Sequence, residues 1–97
     1  MTTELTLIAT IKVLPGHAEA VAAGLRQLVI ASRAEPGCLQ YALHRSEVDT
    51  NQFVMIERWR DADALELHRA TPHFLLFTHD FGERLAGIDL LPLQRLA

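Results

Sequence analysis

Two periodicities divide the chain. From Glu4 to Val13, Leu5, Leu7, Ala9, Ile11 and Val13 fall on one face, and Glu4, Thr6, Ile8, Thr10 and Lys12 on the other, the period of two that marks a half-buried strand. Pro15-Gly16 breaks the alternation. Ala18, Val21, Ala22, Leu25, Leu28, Val29 and Ser32 then recur at three- and four-residue steps, the stripe of an amphipathic helix that Pro36-Gly37 stops. Cys38 to Glu47 reads as a second strand, with Leu39, Tyr41 and Leu43 on one face and Gln40, Ala42 and His44 opposite. Val48-Asp49-Thr50-Asn51 is turn chemistry, so Gln52 to Arg60 should return as a hairpin partner, with Phe53, Met55, Glu57 and Trp59 on one face and Val54, Ile56 and Arg58 on the other. Asp61 suits the N-cap of a helix to about Ala70. Pro72 interrupts it, and His73 to Leu85 resumes with Phe74, Phe77, Thr78, Phe81 and Leu85 at helical spacing until Gly87. Ile88 to Leu96 is a weaker strand whose Pro92 points to an edge or a bulge.

The order is β-α-β-β-α-β with a divided second helix, the order of a ferredoxin-like α+β domain: one antiparallel sheet with helices on one face. The other face then carries Ile8, Ala42, Val54 and Ile56 beside polar residues, more apolar than a sheet face left in water. A twin sheet from a second copy would cover it, giving a homodimer; the plainer alternative is scattered surface aliphatics.

Composition narrows the partners. Ninety-seven residues make one domain, residues 1–97, and 49% apolar content supports a packed core. Net charge is −3, and Lys12 and eight arginines are dispersed without a basic run, so nucleic acid is not expected. Cys38 is the single cysteine, which suits a reducing compartment, and it reads as a small packed residue rather than a nucleophile. Met1-Thr2-Thr3-Glu4 lacks the features of a leader, and no apolar run reaches membrane-spanning length, so a soluble, cytoplasmic protein with no membrane partner is expected.

Candidate chemistry lies where polar groups fall on the face assigned to the core. Glu57 sits between Met55 and Trp59, so its carboxylate must be paired, hydrogen-bonded or protonated; it reads as a structural anchor or as an acid or base with a raised pKa. Trp59 is core volume or a pocket wall whose indole N–H needs a partner. Tyr41 has the same dual character, with a phenol able to support an oxyanion. His68 aligns with Ala64, Leu65 and Thr71, and His73 follows Pro72. A core histidine is the commoner case, but a helix break between two of them should free backbone N–H groups for a ligand. Five residues across a proline is not the spacing of a zinc helix, so no metal is expected. Neither a glycine-rich cofactor loop nor a nucleophile elbow occurs, so no cofactor is expected.

Ala9-Thr10-Ile11-Lys12-Val13 leading to Pro15-Gly16, Glu35-Pro36-Gly37-Cys38 with Tyr41, Phe53-Val54-Met55-Ile56-Glu57-Arg58-Trp59, and His68-Arg69-Ala70-Thr71-Pro72-His73-Phe74 together resemble the antibiotic biosynthesis monooxygenase domain, from about Leu5 to about Leu96. The resemblance implies a dimeric α+β barrel. It also implies a pocket in each subunit lined by Ala9, Tyr41, Glu57, Trp59, His68, His73, Phe74 and Phe77. Similar proteins include cofactor-free monooxygenases of quinols and polycyclic phenols, isomerases of a phosphorylated signal sugar, and haem-degrading oxygenases. The haem-degrading branch carries asparagine where this chain has Ala9, and the isomerase needs basic groups that the expected pocket offers sparsely. A small aromatic substrate and O₂ fit best, with His68 or His73 as base, Tyr41 and Trp59 as hydrogen-bonding positioners, and Glu57 orienting a histidine. An isomerase and a non-catalytic binding module are the alternatives.

Overall fold

Both periodicities find their places in the computed structural model, which describes residues 3–97. Met1 and Thr2, part of the stretch read for a leader, lie outside the described residues. The elements are β1 (Leu5–Val13), α1 (Ala18–Arg33), β2 (Cys38–Arg45), β3 (Gln52–Trp59), α2 (Ala62–Arg69), α3 (Pro72–Phe81) and β4 (Leu85–Leu93). The strands form one antiparallel sheet in the order β2-β3-β1-β4, the ferredoxin-like α+β arrangement that the pattern predicts. Pro92 therefore sits on an edge strand, where its missing N–H breaks no central ladder.

The alternation of β1 and β3 is obeyed residue by residue. Leu7, Ala9, Ile11 and Val13 are buried, as are Phe53, Met55, Glu57 and Trp59, and they pack with Val21, Leu25, Leu28 and Val29 of α1. Opposite them, Ile8, Ala42, Val54 and Ile56 are half-buried. Leu91 and Leu93 extend that outer face onto β4, because they pair with Ile8 and Thr6, and they remain exposed in the single chain.

Three expectations shift. Leu39 is not a core residue. The register slips between Cys38 and Gln40, so Cys38 stands opposite Trp59 and packs on the core, while Leu39 is turned out. Leu85 does not continue the second helical piece: α3 ends at Phe81, Gly82–Arg84 is one 3₁₀ turn, and Leu85 opens β4. Most N–H groups at the helix break are already engaged. Thr71 Oγ1 accepts from the Phe74 N–H, the Thr71 N–H returns to the His68 carbonyl, and Pro72 takes the first-turn position that needs no donor. Asp61 caps α2 as expected, accepting from the Ala64 N–H. Among the described residues no helix is long and apolar enough to cross a membrane.

One close approach sets the site. A Cβ on Gly37 would lie 2.4 Å from the Ala64 Cβ. Only glycine lets α2 rest directly on the turn that follows α1, and that contact brings Glu35 beneath His68.

Candidate active site

A cavity of about 270 Å³ lies between the inner sheet face and the three helices. Ala9 supplies part of its floor, a small side chain in register with Met55 on one side and Leu90 on the other. Phe74 and Phe77 of α3 wall it. The polar groups on its lining are Tyr41, Glu57, His68, Arg69 and Thr78. Ile88 and Leu90 of β4, each about half exposed, border its open side.

His68 is the best-held of these groups. Its Nδ1 lies 2.8 Å from Glu35 Oε2, and its Nε2 lies 3.5 Å from the Tyr41 phenol oxygen. A carboxylate accepts and does not donate, so the ring proton belongs on Nδ1, and Nε2 keeps a lone pair on the Tyr41 side. Burial holds the His68 imidazole below its ordinary pKa against the opposing pull of Glu35, so the ring is neutral at pH 7. A neutral imidazole oriented by a carboxylate and lining a cavity is the arrangement of a general base. Trp59 lies tilted against the ring at 4.5 Å between centroids and Phe74 meets it edge-on, fixing its plane.

Glu35 is the residue that sequence reasoning missed. It appears there only within the Glu35-Pro36-Gly37-Cys38 motif. Its Oε2 also accepts from His73 Nε2 at 2.7 Å. One carboxylate oxygen thus joins both histidines, and Glu35, His68 and His73 place three potential metal-ligating atoms within 4.8 Å of one another. No spacing rule exposes this trio, since Glu35 lies 33 and 38 residues from its partners.

Glu57 behaves differently from the expectation. It accepts one hydrogen bond from the Trp59 indole N–H at 3.0 Å, and the carboxylate that orients a histidine is Glu35 instead. Burial pushes the Glu57 carboxyl up to about 7, only partly offset by that hydrogen bond and by Arg69. Tyr41 lies across the ladder from Glu57; burial, then the Glu57 charge, pushes its phenol far above the ordinary value, so it stays a neutral donor. Ser32 Oγ, wholly buried on α1, has no hydrogen bond of ordinary geometry among the described residues, although it lies near enough to the Tyr41 phenol to favour its charged form slightly. The Cys38 thiol is also pushed up, by burial and then by Glu35 and Glu57, which disfavours a thiolate nucleophile.

Of the eight residues expected to line the pocket, Ala9, Tyr41, Glu57, His68, Phe74 and Phe77 do so. Trp59 is wholly buried behind His68 and does not reach the cavity, so it acts on Glu57 and on the ring plane rather than on a ligand. His73 lines a separate cleft between α1 and α3 and meets the site through its hydrogen bond to Glu35 and a tilted ring contact with His68 at 6.2 Å between centroids. Arg69, paired with Glu66 at 3.1 Å, adds one cation to the lining that the pattern did not single out.

The family model for antibiotic biosynthesis monooxygenase matches residues 5–80. A Bacillus subtilis protein named "Putative monooxygenase YcnE" is 41% identical over 83 residues, 86% of this chain and 87% of its own. An uncharacterized Synechocystis protein, sll1783, is 35% identical over 84 residues; these are 87% of this chain and 54% of that protein, so the chain spans about half of that relative's length. Among solved structures, the crystal structure of PA3566 from Pseudomonas aeruginosa superposes with a TM-score of 0.95 at 54% identity, covering 100% of this chain and 98% of that one.

Proposed function

The chain belongs to the antibiotic biosynthesis monooxygenase family, and from that premise we propose that it is a cofactor-free, cytoplasmic monooxygenase of a small quinol or polycyclic phenol. The observation that carries the reading is His68, neutral, locked by Glu35 at Nδ1, facing the Tyr41 phenol with Nε2, and lining an apolar cavity.

A hydroquinone ring seats among Leu7, Phe74 and Phe77, with one hydroxyl toward His68 and Tyr41. His68 Nε2 takes the hydroxyl proton, and the neutral Tyr41 phenol supports the resulting oxyanion. The anion donates an electron to O₂, and the two radicals join as a carbon-bound peroxide. Cleavage of the O–O bond releases one oxygen atom as water. The other stays on the ring, so hydroquinone and O₂ become hydroxyquinone and water with atoms and electrons in balance. The protein's contribution is to hold the anion, keep water away from the peroxide and return the proton. Glu35 is a positioning residue in this scheme, and Glu57, half-protonated near neutrality, is the second group able to hold a proton.

A cavity of about 270 Å³ is close to the lower bound of ordinary ligand sites, roughly 300 Å³, and favours one- or two-ring substrates over larger polycycles. A phosphorylated substrate is less well served: Arg69 is the cation on the lining, and Glu66 already engages it. The outer sheet face of Ile8, Val54, Ile56, Leu91 and Leu93 supports a homodimer that buries it. Light scattering at micromolar concentration should give twice the chain mass, and Ile56→Glu should abolish the dimer; a monomeric parent would remove this part of the reading.

The test is oxygen uptake by purified protein, freed of metal and flavin, over a panel of hydroquinones, naphthols and anthrones. Uptake with stoichiometric quinone formation supports the proposal. Tight binding of the same compounds without uptake would make the pocket a binding module, and turnover that requires a phosphate group would favour the isomerase.

A further inference from the structure

The trio that orients His68 is also built like three-quarters of a metal centre. Glu35 Oε2, His68 Nδ1 and His73 Nε2 converge from three different elements, the turn after α1, α2 and the start of α3. One glutamate oxygen and two imidazole nitrogens are a donor set that borderline divalent ions take with the fourth position open to water. The present separations of 2.8 and 2.7 Å from the shared oxygen are those of hydrogen bonds. An ion bound at about 2.0–2.2 Å needs its ligands roughly 3.3 Å apart, so entry requires both coordinating nitrogens to give up their protons, an opening of about half an ångström at the shared oxygen, and an adjustment of the two ring nitrogens, which lie within 4.8 Å of each other. The members able to move are those nearer the surface: the His73 side chain is 27% exposed and that of Glu35 12%, against 2% for His68. His73 faces the cleft between α1 and α3, which gives an ion a path that does not cross the substrate cavity.

We propose that Glu35, His68 and His73 bind one divalent transition-metal ion, such as Zn²⁺ or Ni²⁺, and that the bound ion switches the site off. Coordination at Nδ1 takes the lone pair there and moves the ring proton to Nε2. That nitrogen then donates toward Tyr41 and can no longer accept a proton from a substrate. The metal and the general-base role are thus mutually exclusive occupants of one imidazole. The inhibitory consequence rests on the proposed function, whereas the binding site does not.

The chain reports its own binding. Trp59 is the single tryptophan and its ring lies 4.5 Å from that of His68, so a paramagnetic ion on Nδ1 will quench its fluorescence. Untagged protein titrated with Ni²⁺ should lose Trp59 emission, saturating at one ion per chain, and either a chelator or excess Zn²⁺, which displaces the paramagnetic ion, should restore it. His73→Ala and Glu35→Gln should each weaken the Ni²⁺ midpoint by at least the roughly 10–100-fold that loss of even an outer metal partner costs. His79→Ala, an exposed histidine of α3 outside the trio, should leave the midpoint unchanged. Glu35→Gln preserves side-chain volume, so its result stands even where His73→Ala unsettles the start of α3. Quenching that does not saturate, that persists in both trio variants, or that is lost equally in His79→Ala would overturn the site. Ni²⁺ binding in a protein that shows no oxygen uptake on any substrate would uphold the site and refute the enzymatic reading.

Discussion

Two carboxylates flank the aromatic cluster at the heart of this molecule, and they live under opposite rules. Glu35 sits in the turn after α1 with two imidazole donors on one oxygen; Glu57 sits in the middle of β3 with one indole donor and an apolar wall. The first has its charge answered by hydrogen bonds, so it can hold other groups in place. The second loses hydration with little in return, and its own protonation responds, rising to about 7. A buried acid is therefore not one kind of object. The number of donors it finds decides how much of its lost hydration is replaced.

The sharpest way to break this comparison is to remove what Glu35 holds. His68→Ala should lower turnover by roughly a hundredfold or more, the scale of a lost general base. It should also cost about 1–3 kcal/mol of stability, because the ring is buried and hydrogen-bonded at both nitrogens, so rates must be taken per folded molecule. A stability loss with full activity would leave His68 a core residue only.

Glu35→Gln keeps the shape but not the charge, and should lower kcat by about tenfold while leaving KM within a few-fold, the signature of a positioning residue. It should also move the rising limb of the pH–rate profile to lower pH, because the carboxylate supports the charged form of His68. An unchanged profile would mean that Glu35 does no more than fill space.

Glu57→Gln tests the other region, and the expected sign follows from linkage. A carboxyl whose pKa is raised on folding contributes stability below its unfolded value, and that contribution is lost as pH climbs from about 4.5 through about 7. The full span corresponds to an order of 3 kcal/mol. The glutamine variant should therefore match the parent near pH 4.5 and become the more stable of the two by about 1–3 kcal/mol at pH 8, as read from denaturant midpoints. A constant difference across that range would show that Glu57 is ionised and satisfied after all. The smallest effect belongs to His73→Ala, which lies off the cavity, behind Glu35 and the edge of the His68 ring, and should slow turnover by only about two- to fivefold.

The sheet was largely legible because β1 and β3 alternate without interruption, and burial follows that alternation at every position from Leu7 to Val13 and from Phe53 to Trp59. Leu39 was not, since a bulge leaves no mark in a ten-residue apolar pattern. The end of α3 was misjudged because Leu85 continues the helical spacing while belonging to β4. In the site, His68, Tyr41 and Glu57 could be found as polar residues at core positions. Glu35 could not, because it lies in a turn, outside either periodicity, and gains its role only when Gly37 lets α2 settle against it.

The central claim is that His68, set by Glu35, is the base of a cofactor-free oxygenase. Its most direct test is the pH dependence of oxygen uptake with a one-ring hydroquinone, measured on protein stripped of metal and flavin. The account predicts a rate that rises to a plateau with a midpoint below the free imidazole value of about 6.5, and that is lost in His68→Ala. A midpoint near 7 that disappears in Glu57→Gln, or no uptake with any quinol at any pH, would contradict it.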